Sequence, residues 1–446
     1  MAGDQRVSTY PANSGAGSAA LYERALKVFT GGNTRITYVM KPFAPYASHG
    51  AGAYVWDADG KKSLDLVNNY FSLIHGHAHP EIVKAITDCA ASGTAFGLPT
   101  EREVLLAEEI CKRSPVFEEI RFVGSGTEAM MTAVKVARAH TGRPKIAKVE
   151  GAYHGAYDHL EISLDPTPEV WGAGDPEPVA YVRGTPANVI ADTVVLPFND
   201  PERAVACIER HGSELAAVVL DLLPSRVGLV AATPEYLKAV RDVTRRLGVL
   251  LIVDEVICFR LHPDGAHTLF GVEPDLVALA KVIGGGLPIG AVAGRREVMS
   301  VFEWRNGKPF LPAGGTFNAN PLTMAAGLAG MKMLTPDALG RLNALGDRLR
   351  EGATSVMREL KAPWQVTGLG SLFRLHPHQR PIHDYRTCYP AAAERLALER
   401  VHRHLLEHGV LITPTGSGAL STPMTEADVQ YFLAALRNAL IAVTAD

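Results

Sequence analysis

A secretion signal and a membrane span are both missing from this sequence. The first twenty residues lack the charged start and the roughly 7 to 15 residue apolar core that a signal peptide needs. No later stretch reaches about 18 uncharged apolar residues, so the expected location is the cytosol. A basic charge excess is missing as well. The net charge is −3 and the pI near 6.6, which provides no field to draw in nucleic acid or anionic lipid. Cysteine is scarce: Cys89, Cys111, Cys207, Cys258 and Cys388 are odd in number and scattered. They form no Cys-x-x-Cys pair and have no neighbouring histidine spacing that suggests zinc, so they read as reduced and structural, and no metal is expected. Cys258, four residues after Asp254, reads as a small core hydrophobe. Repeats and low-complexity tracts are also absent.

What the chain has is length and an ordinary globular balance. Its 446 residues exceed the roughly 250 to 300 at which a single core stops growing, so two domains are expected. Hydrophobic residues make up 47% and charged residues 20%, as in a soluble folded protein. Strand-like and helical stretches alternate from about residue 60 to 300, the pattern of a mostly parallel sheet with helices on both faces. Arg121–Val123, Lys145–Val149, Ala216–Leu220 and Val249–Val253 read as buried strands. Thr127–Thr141 and Pro234–Leu247 carry helical spacing and end at Gly142 and Gly248. Residues 160–190 are rich in proline and glycine and read either as a functional lid or as disorder. After Pro321 a helical segment, Leu322–Leu334, leads into a second region.

Three constellations carry chemistry. Phe122-Val123-Gly124-Ser125-Gly126-Thr127 is a strand running into a Gly/Ser/Thr turn that opens a helix. Its free N–H groups and the positive helix end suit a phosphate, although such a turn can also merely cap the helix. It lacks the Gly-Lys-Thr of the P-loop and the third glycine of the dinucleotide fingerprint. Leu250–Val256 is an apolar strand that delivers Asp254 at its carboxyl end, where open α/β sheets bind ligands. A buried aspartate there needs a cationic partner, and a protonated pyridine nitrogen is one; a metal is the rival, without histidines at ligand spacing to support it. Finally, Lys281 follows an apolar strand and precedes Gly284-Gly285-Gly286. Desolvation turns such a lysine into a nucleophilic amine suited to Schiff-base chemistry, whereas a lone lysine on an apolar face ordinarily snorkels to solvent.

In this order the three parts are those of a pyridoxal-phosphate enzyme. From about Tyr22 onward the sequence resembles the class III (ω-type) aminotransferases of pyridoxal-phosphate fold type I, in the branch holding glutamate-1-semialdehyde aminomutase and the β-amino-acid aminotransferases. The likeness lies in Tyr54–Gly60, His75-Gly-His77-Ala-His79-Pro80, Phe96–Glu101, Gly151-Ala152-Tyr153-His154-Gly155 and Gly315-Thr316-Phe317-Asn318. It implies a large cofactor domain over 65–321 and a smaller α+β domain built from both chain ends, 1–64 and 322–446. It further implies that Ser125, Gly126 and Thr127 bind the phosphate of pyridoxal 5'-phosphate, Tyr153 stacks on the ring and Val256 packs its other face. Asp254 would hold the ring nitrogen and Lys281 the aldehyde carbon. Thr316 would reach the neighbouring subunit's phosphate, making a homodimer the smallest active unit. The three loop histidines, His75, His77 and His79, read otherwise as satisfied structural residues.

The implied reaction is transfer of an amino group from an amino acid, with a β-amino acid among the candidates, to a keto acid; the alternative is an intramolecular aminomutase. Arg35 falls where the branch binds a substrate carboxylate, a task for a bidentate guanidinium. Arg226 is a second candidate, in a loop that ordinarily lacks arginine. Two departures from the family set the substrate side apart: Leu220-Asp221-Leu222-Leu223-Pro224 stands where the family usually has Glu-Pro after the strand, and 414–419 lacks both the aminomutase glutamate and the arginine of some β-amino-acid enzymes. The extension to His262-Pro263 after Asp254 resembles the β-type.

Overall fold

The computed structural model describes residues 8–9, 15–35, 37, 40–172 and 174–444. They divide into two compact units, one formed by residues up to His79 with Leu342–Arg380 and Pro390 onward, the other by Pro80–Arg341 with Pro381–Tyr389.

The second unit is built on a seven-stranded sheet of β1 (Glu119–Val123), β2 (Lys145–Val149), β3 (Thr193–Leu196), β4 (Leu215–Asp221), β5 (Leu250–Asp254), β6 (Leu276–Ala280) and β7 (Gly290–Gly294). Their spatial order is β1-β7-β6-β5-β4-β2-β3. Pairs among β2 to β6 are parallel, and β7 runs antiparallel to both its neighbours. Every residue of β4, β5 and β6 is buried, as expected for strands covered on both faces, which explains their continuous apolar runs.

Helix α1 (Gly126–Thr141) begins where the Ser125 hydroxyl accepts the Glu128 N–H and ends at left-handed Gly142. Its inner face, Ala129, Met130, Ala133, Val134, Val136 and Ala137, joins one cluster with Ala217, Ile252, Ala278 and Val292 of the sheet. The alanines bring the helix axis close to the strands and so fix where its first turn lies. Helix α2 is Pro201–His211, and α3 (Pro234–Leu247) is capped by Thr233 and ends at left-handed Gly248. Arg241 of α3 makes a two-pronged ion pair with Asp275 (2.7 and 3.0 Å), whose carboxylate also accepts the Leu251 N–H. That bond locks the helix to the starts of β5 and β6. Helix α4 (Pro321–Met333) follows.

Strands and helices therefore fall within one or two residues of the expected segments. Residues 160–190 are not a disordered span among the described residues. Ser163 ties to Glu177 and Val179, Trp171 to Pro166, and Asp175 to Arg203 and Arg210.

The first unit is α+β. A four-stranded sheet joins Ala47–Ala51, Tyr54–Asp57 and Lys62–Asp65 to Val410–Leu411, so both ends of the chain share it. A three-stranded antiparallel sheet comprises Gln365–Thr367, Leu372–His376 and Ser417–Ala419. Long helices Ala392–Glu407 and Glu426–Thr444 complete it. Among the described residues no helix is long and apolar enough to cross a membrane.

Candidate active site

Lys281, Asp254 and Asp221 stand at the carboxyl ends of three successive strands, β6, β5 and β4. Asp254 and Asp221 are register partners on parallel strands, so their side chains leave the sheet at the same level and both are buried. Lys281 adopts φ 50°, a left-handed conformation that a non-glycine residue holds only when its surroundings over-determine it. The following glycines supply that constraint: a Cβ on Gly285 would lie 2.3 Å from the Ala326 carbonyl oxygen of α4, so the turn is pressed against helix backbone. Burial drives the Lys281 amine below its ordinary pKa, with Asp254, Asp221 and Cys258 pulling the other way. The result is a desolvated amine on a constrained backbone.

Asp254 is held at both oxygens. Oδ1 accepts the Val256 N–H at 2.9 Å, and Oδ2 lies 2.7 Å from Nδ1 of fully buried His154. Because a carboxylate only accepts, Nδ1 carries the hydrogen. Burial, only partly opposed by the bond to Asp254, lowers the His154 pKa and keeps the ring neutral. His154 is the functional candidate that sequence reasoning passed over, although it stands next to Tyr153 in the Gly151–Gly155 stretch. Glu255 points elsewhere: its carboxylate accepts the Ala266 and His267 N–H groups and the His267 ring, which contacts Ser114. Cys258 is buried with its thiol near the Asp254 carbonyl, and all five cysteines are free.

The 124–127 turn closes the other side. The Gly124 N–H is taken by the Glu128 carboxylate at 2.5 Å and the Glu128 N–H by the Ser125 hydroxyl. The N–H groups of Gly126 and Thr127, on the first turn of α1, have no protein partner among the described residues. Close packing sets the turn in place. A Cβ on Gly126 would meet Val256 Cγ1 at 3.2 Å and Ala280 Cβ at 3.4 Å, and one on Gly290 of β7 would overlap the Ser125 carbonyl. Gly155, at φ 90°, backs onto Thr127, whose hydroxyl accepts the Ala156 N–H at 3.2 Å. Tyr153 and His154 are thereby brought to the phosphate turn, and Tyr153 keeps 47% of its surface open. Thr316 lies on an exposed turn closed by Asn318 N–H to Gly315; no hydrogen bond joins it to 124–127 among the described residues.

The two arginines differ. Arg226, in the turn Ser225–Val227, pairs with Asp165 at 2.7 Å, and Tyr385 also donates to Asp165. Arg35 belongs to the first unit, where its Nη1 donates to Asn69 Oδ1 at 3.1 Å. Asn69 sits in an unusual run: Asn68, Asn69, Tyr70 and Phe71 all have φ between 47° and 73°, each at a cost of about 1 kcal/mol. Asp65 steadies this left-handed turn by accepting the Val67 and Asn68 N–H groups, and its second oxygen binds His77. His77 is therefore a satisfied structural histidine.

A mostly parallel sheet in this order, with a constrained lysine and a buried carboxylate at neighbouring strand ends, defines a pyridoxal-phosphate transferase of fold type I. The donor set fits that cofactor: two unpartnered N–H groups suit its phosphate, a doubly held carboxylate its ring nitrogen, and an amine its aldehyde. The model of the aminotransferase class-III family matches residues 39–439, and the chain belongs to this family. It is 37% identical over 433 residues to a glutamate-1-semialdehyde 2,1-aminomutase of Anaeromyxobacter sp. (strain K), covering 95% of this chain and 97% of that one. Among solved structures, an omega-transaminase from Sphaerobacter thermophilus superposes with a TM-score of 0.94 at 49% identity, over 97% of this chain and 99% of the other. A transaminase with pyridoxal phosphate bound gives 0.89 at 43% identity, over 96% and 98%. Pyridoxal 5'-phosphate is the cofactor of this chain.

Proposed function

We propose that the enzyme transfers an amino group between two small molecules, taking it from an amino acid, with β-amino acids included, and passing it to a 2-oxo acid. Lys281 carries this reading: its backbone is left-handed, and its amine is desolvated with the charge of Asp254 acting on it. When bound, the cofactor supplies an aldehyde carbon for amines and a ring that takes up an electron pair. Lys281 would hold that carbon and would be freed for proton transfer when a donor amine is bound. Once free, it takes the proton from the donor's amino-bearing carbon. Asp254, oriented by His154, keeps a proton on the ring nitrogen. Gly126 and Thr127 bind the phosphate through their N–H groups, with Ser125 shaping the turn. Tyr153 and Val256 face the two sides of the ring. Thr316 serves the phosphate of a second copy, so the working unit is a homodimer. Arg35 binds the donor carboxylate, and Arg226 borders the acceptor. The large cofactor domain expected over 65–321 corresponds to the unit of Pro80–Arg341 with Pro381–Tyr389, and the protein works in the cytoplasm.

The second reading, an intramolecular aminomutase, is favoured by the name of the curated relative. Transamination is supported by the higher identity to the omega-transaminase and by the absence of the aminomutase glutamate from 414–419. A donor screen without acceptor separates them. A transaminase releases one equivalent of oxo product per site and stops, whereas a mutase isomerises glutamate semialdehyde with no second substrate. Borohydride reduction of the holoenzyme is expected to fix the cofactor on the Lys281 peptide, and Lys281→Ala to lose both that adduct and turnover. An adduct on another lysine overturns the assignment. Arg35→Ala is expected to raise KM for carboxylated donors far more than for simple amines; equal effects remove its carboxylate role.

A further inference from the structure

The first unit carries a group of side chains that the amino-transfer chemistry leaves unused. His404, Glu407 and His408 close the helix Ala392–Glu407, and their ligand atoms all lie within 4.8 Å of one another. The spacing is the physical cause: residues three and four apart share a helix face, so His-Leu-Leu-Glu-His stacks both rings and the carboxylate on one turn. The imidazoles lie 4.0 Å apart at 18°.

The hydrogen bonding is that of a ligand pair. His408 Nδ1 sits 2.7 Å from the His404 carbonyl. That oxygen only accepts, so Nδ1 carries the hydrogen and Nε2 keeps its lone pair, the arrangement by which a backbone carbonyl orients a metal-binding histidine. His404 Nε2 is buried without a hydrogen-bond partner. The competing cation is Lys61, whose ammonium donates to the Leu406 and Glu407 carbonyls at 2.9 and 3.1 Å. Those bonds hold it on backbone oxygens.

We propose that His404, Glu407 and His408 form a surface site for a borderline divalent transition ion such as zinc, with water completing the coordination. Two imidazoles and one carboxylate are the donor set such ions take, and calcium or magnesium would demand more oxygen. The ion would brace a junction of the unit. His408 leads through left-handed Gly409 into Val410–Leu411, which pairs with Leu64–Asp65, and the Tyr431 hydroxyl donates to the His408 carbonyl.

The test uses full-length holoenzyme without a histidine tag, titrated with zinc against a chromophoric chelator. One equivalent is expected that His408→Gln and His404→Gln each weaken at least about tenfold, while His383→Gln, an exposed histidine elsewhere, leaves it unchanged. Identical isotherms for wild type and His408→Gln overturn the proposal, as does equal loss in His383→Gln. A second measurement needs no variant: zinc should protect His404 and His408 of the wild-type protein from diethylpyrocarbonate, read by peptide mass, and modification unaffected by zinc overturns the site. Donor turnover should be the same in wild type and the variants, because none of the three residues belongs to the amino-transfer machinery.

Discussion

Replacing His154 tests the inner architecture of the site most directly. His154→Phe keeps the ring's bulk in a fully buried position but removes the Nδ1–H that meets Asp254 Oδ2 at 2.7 Å. A hydrogen bond to a buried charged group contributes about 1.5 to 3 kcal/mol, equivalent to roughly 10- to 150-fold in rate where the bond orients the group that holds the ring proton. The expected outcome is a loss of that size in kcat/KM of the donor half-reaction, with the cofactor still retained through the phosphate turn. His154→Asn places an amide N–H near the old Nδ1 and should recover most of the loss. Because burial depresses the His154 pKa from 6.5, its neutral form stabilises the fold above that value, and this contribution is lost as pH falls through the lower folded pKa. The phenylalanine variant should therefore lose less stability on acidification than wild type. Kinetics within about threefold of wild type, or an asparagine variant no better than phenylalanine, would refute the positioning role.

Two further substitutions probe the scaffold. Gly126→Ala puts a methyl 3.2 Å from Val256 and 3.4 Å from Ala280. The crowding, about 1 kcal/mol or more, should loosen the cofactor about fivefold, measured as its dissociation on dialysis; unchanged retention refutes the close fit. Lys148 is fully buried on β2, donating to the Val149 and Ile162 carbonyls at 3.1 and 2.9 Å, and desolvation lowers its pKa from 10.5 to about 7. Below about pH 7 the lysine is charged both folded and unfolded, so the whole penalty, about 5 kcal/mol, applies; it fades as pH rises toward 10.5. Lys148→Met sheds that penalty but leaves two carbonyls unpaired at about 1 kcal/mol each. It should therefore stabilise the protein at pH 6, an advantage vanishing near about pH 9; urea melts at both values decide it, and a less stable variant at pH 6 refutes the argument.

What was legible in the sequence follows from the range of the forces involved. Buried parallel strands leave continuous apolar runs, so β2, β4 and β5 could be read locally, as could α1 and α3 from their spacing and terminal glycines. Lys281 and Asp254 were readable because each is the first charge at the end of such a run. His154 was not, since nothing local distinguishes it from a loop histidine. Only the crossing of the Gly151–Gly155 loop over Thr127, enforced by the bare Cα of Gly155, brings its ring to Asp254. The left-handed run at Asn68–Phe71 was equally hidden, because four non-glycine residues predict a right-handed turn and tertiary bonds from Asp65 override them.

On the substrate side the charges read from the sequence already have protein neighbours. Arg226 stood out as a cation in a loop that ordinarily has none, yet it is paired with Asp165 across partly exposed surface. Such a pair contributes at most about 1 kcal/mol, so exchanging Asp165 for an incoming carboxylate costs little. Asp221 presents the converse case. Burial first, and then the charge of Asp254, raise its pKa well above the ordinary carboxylate value. Burial of the Lys281 amine nevertheless outweighs the carboxylates around it and lowers its pKa, which favours the nucleophilic form of a lysine.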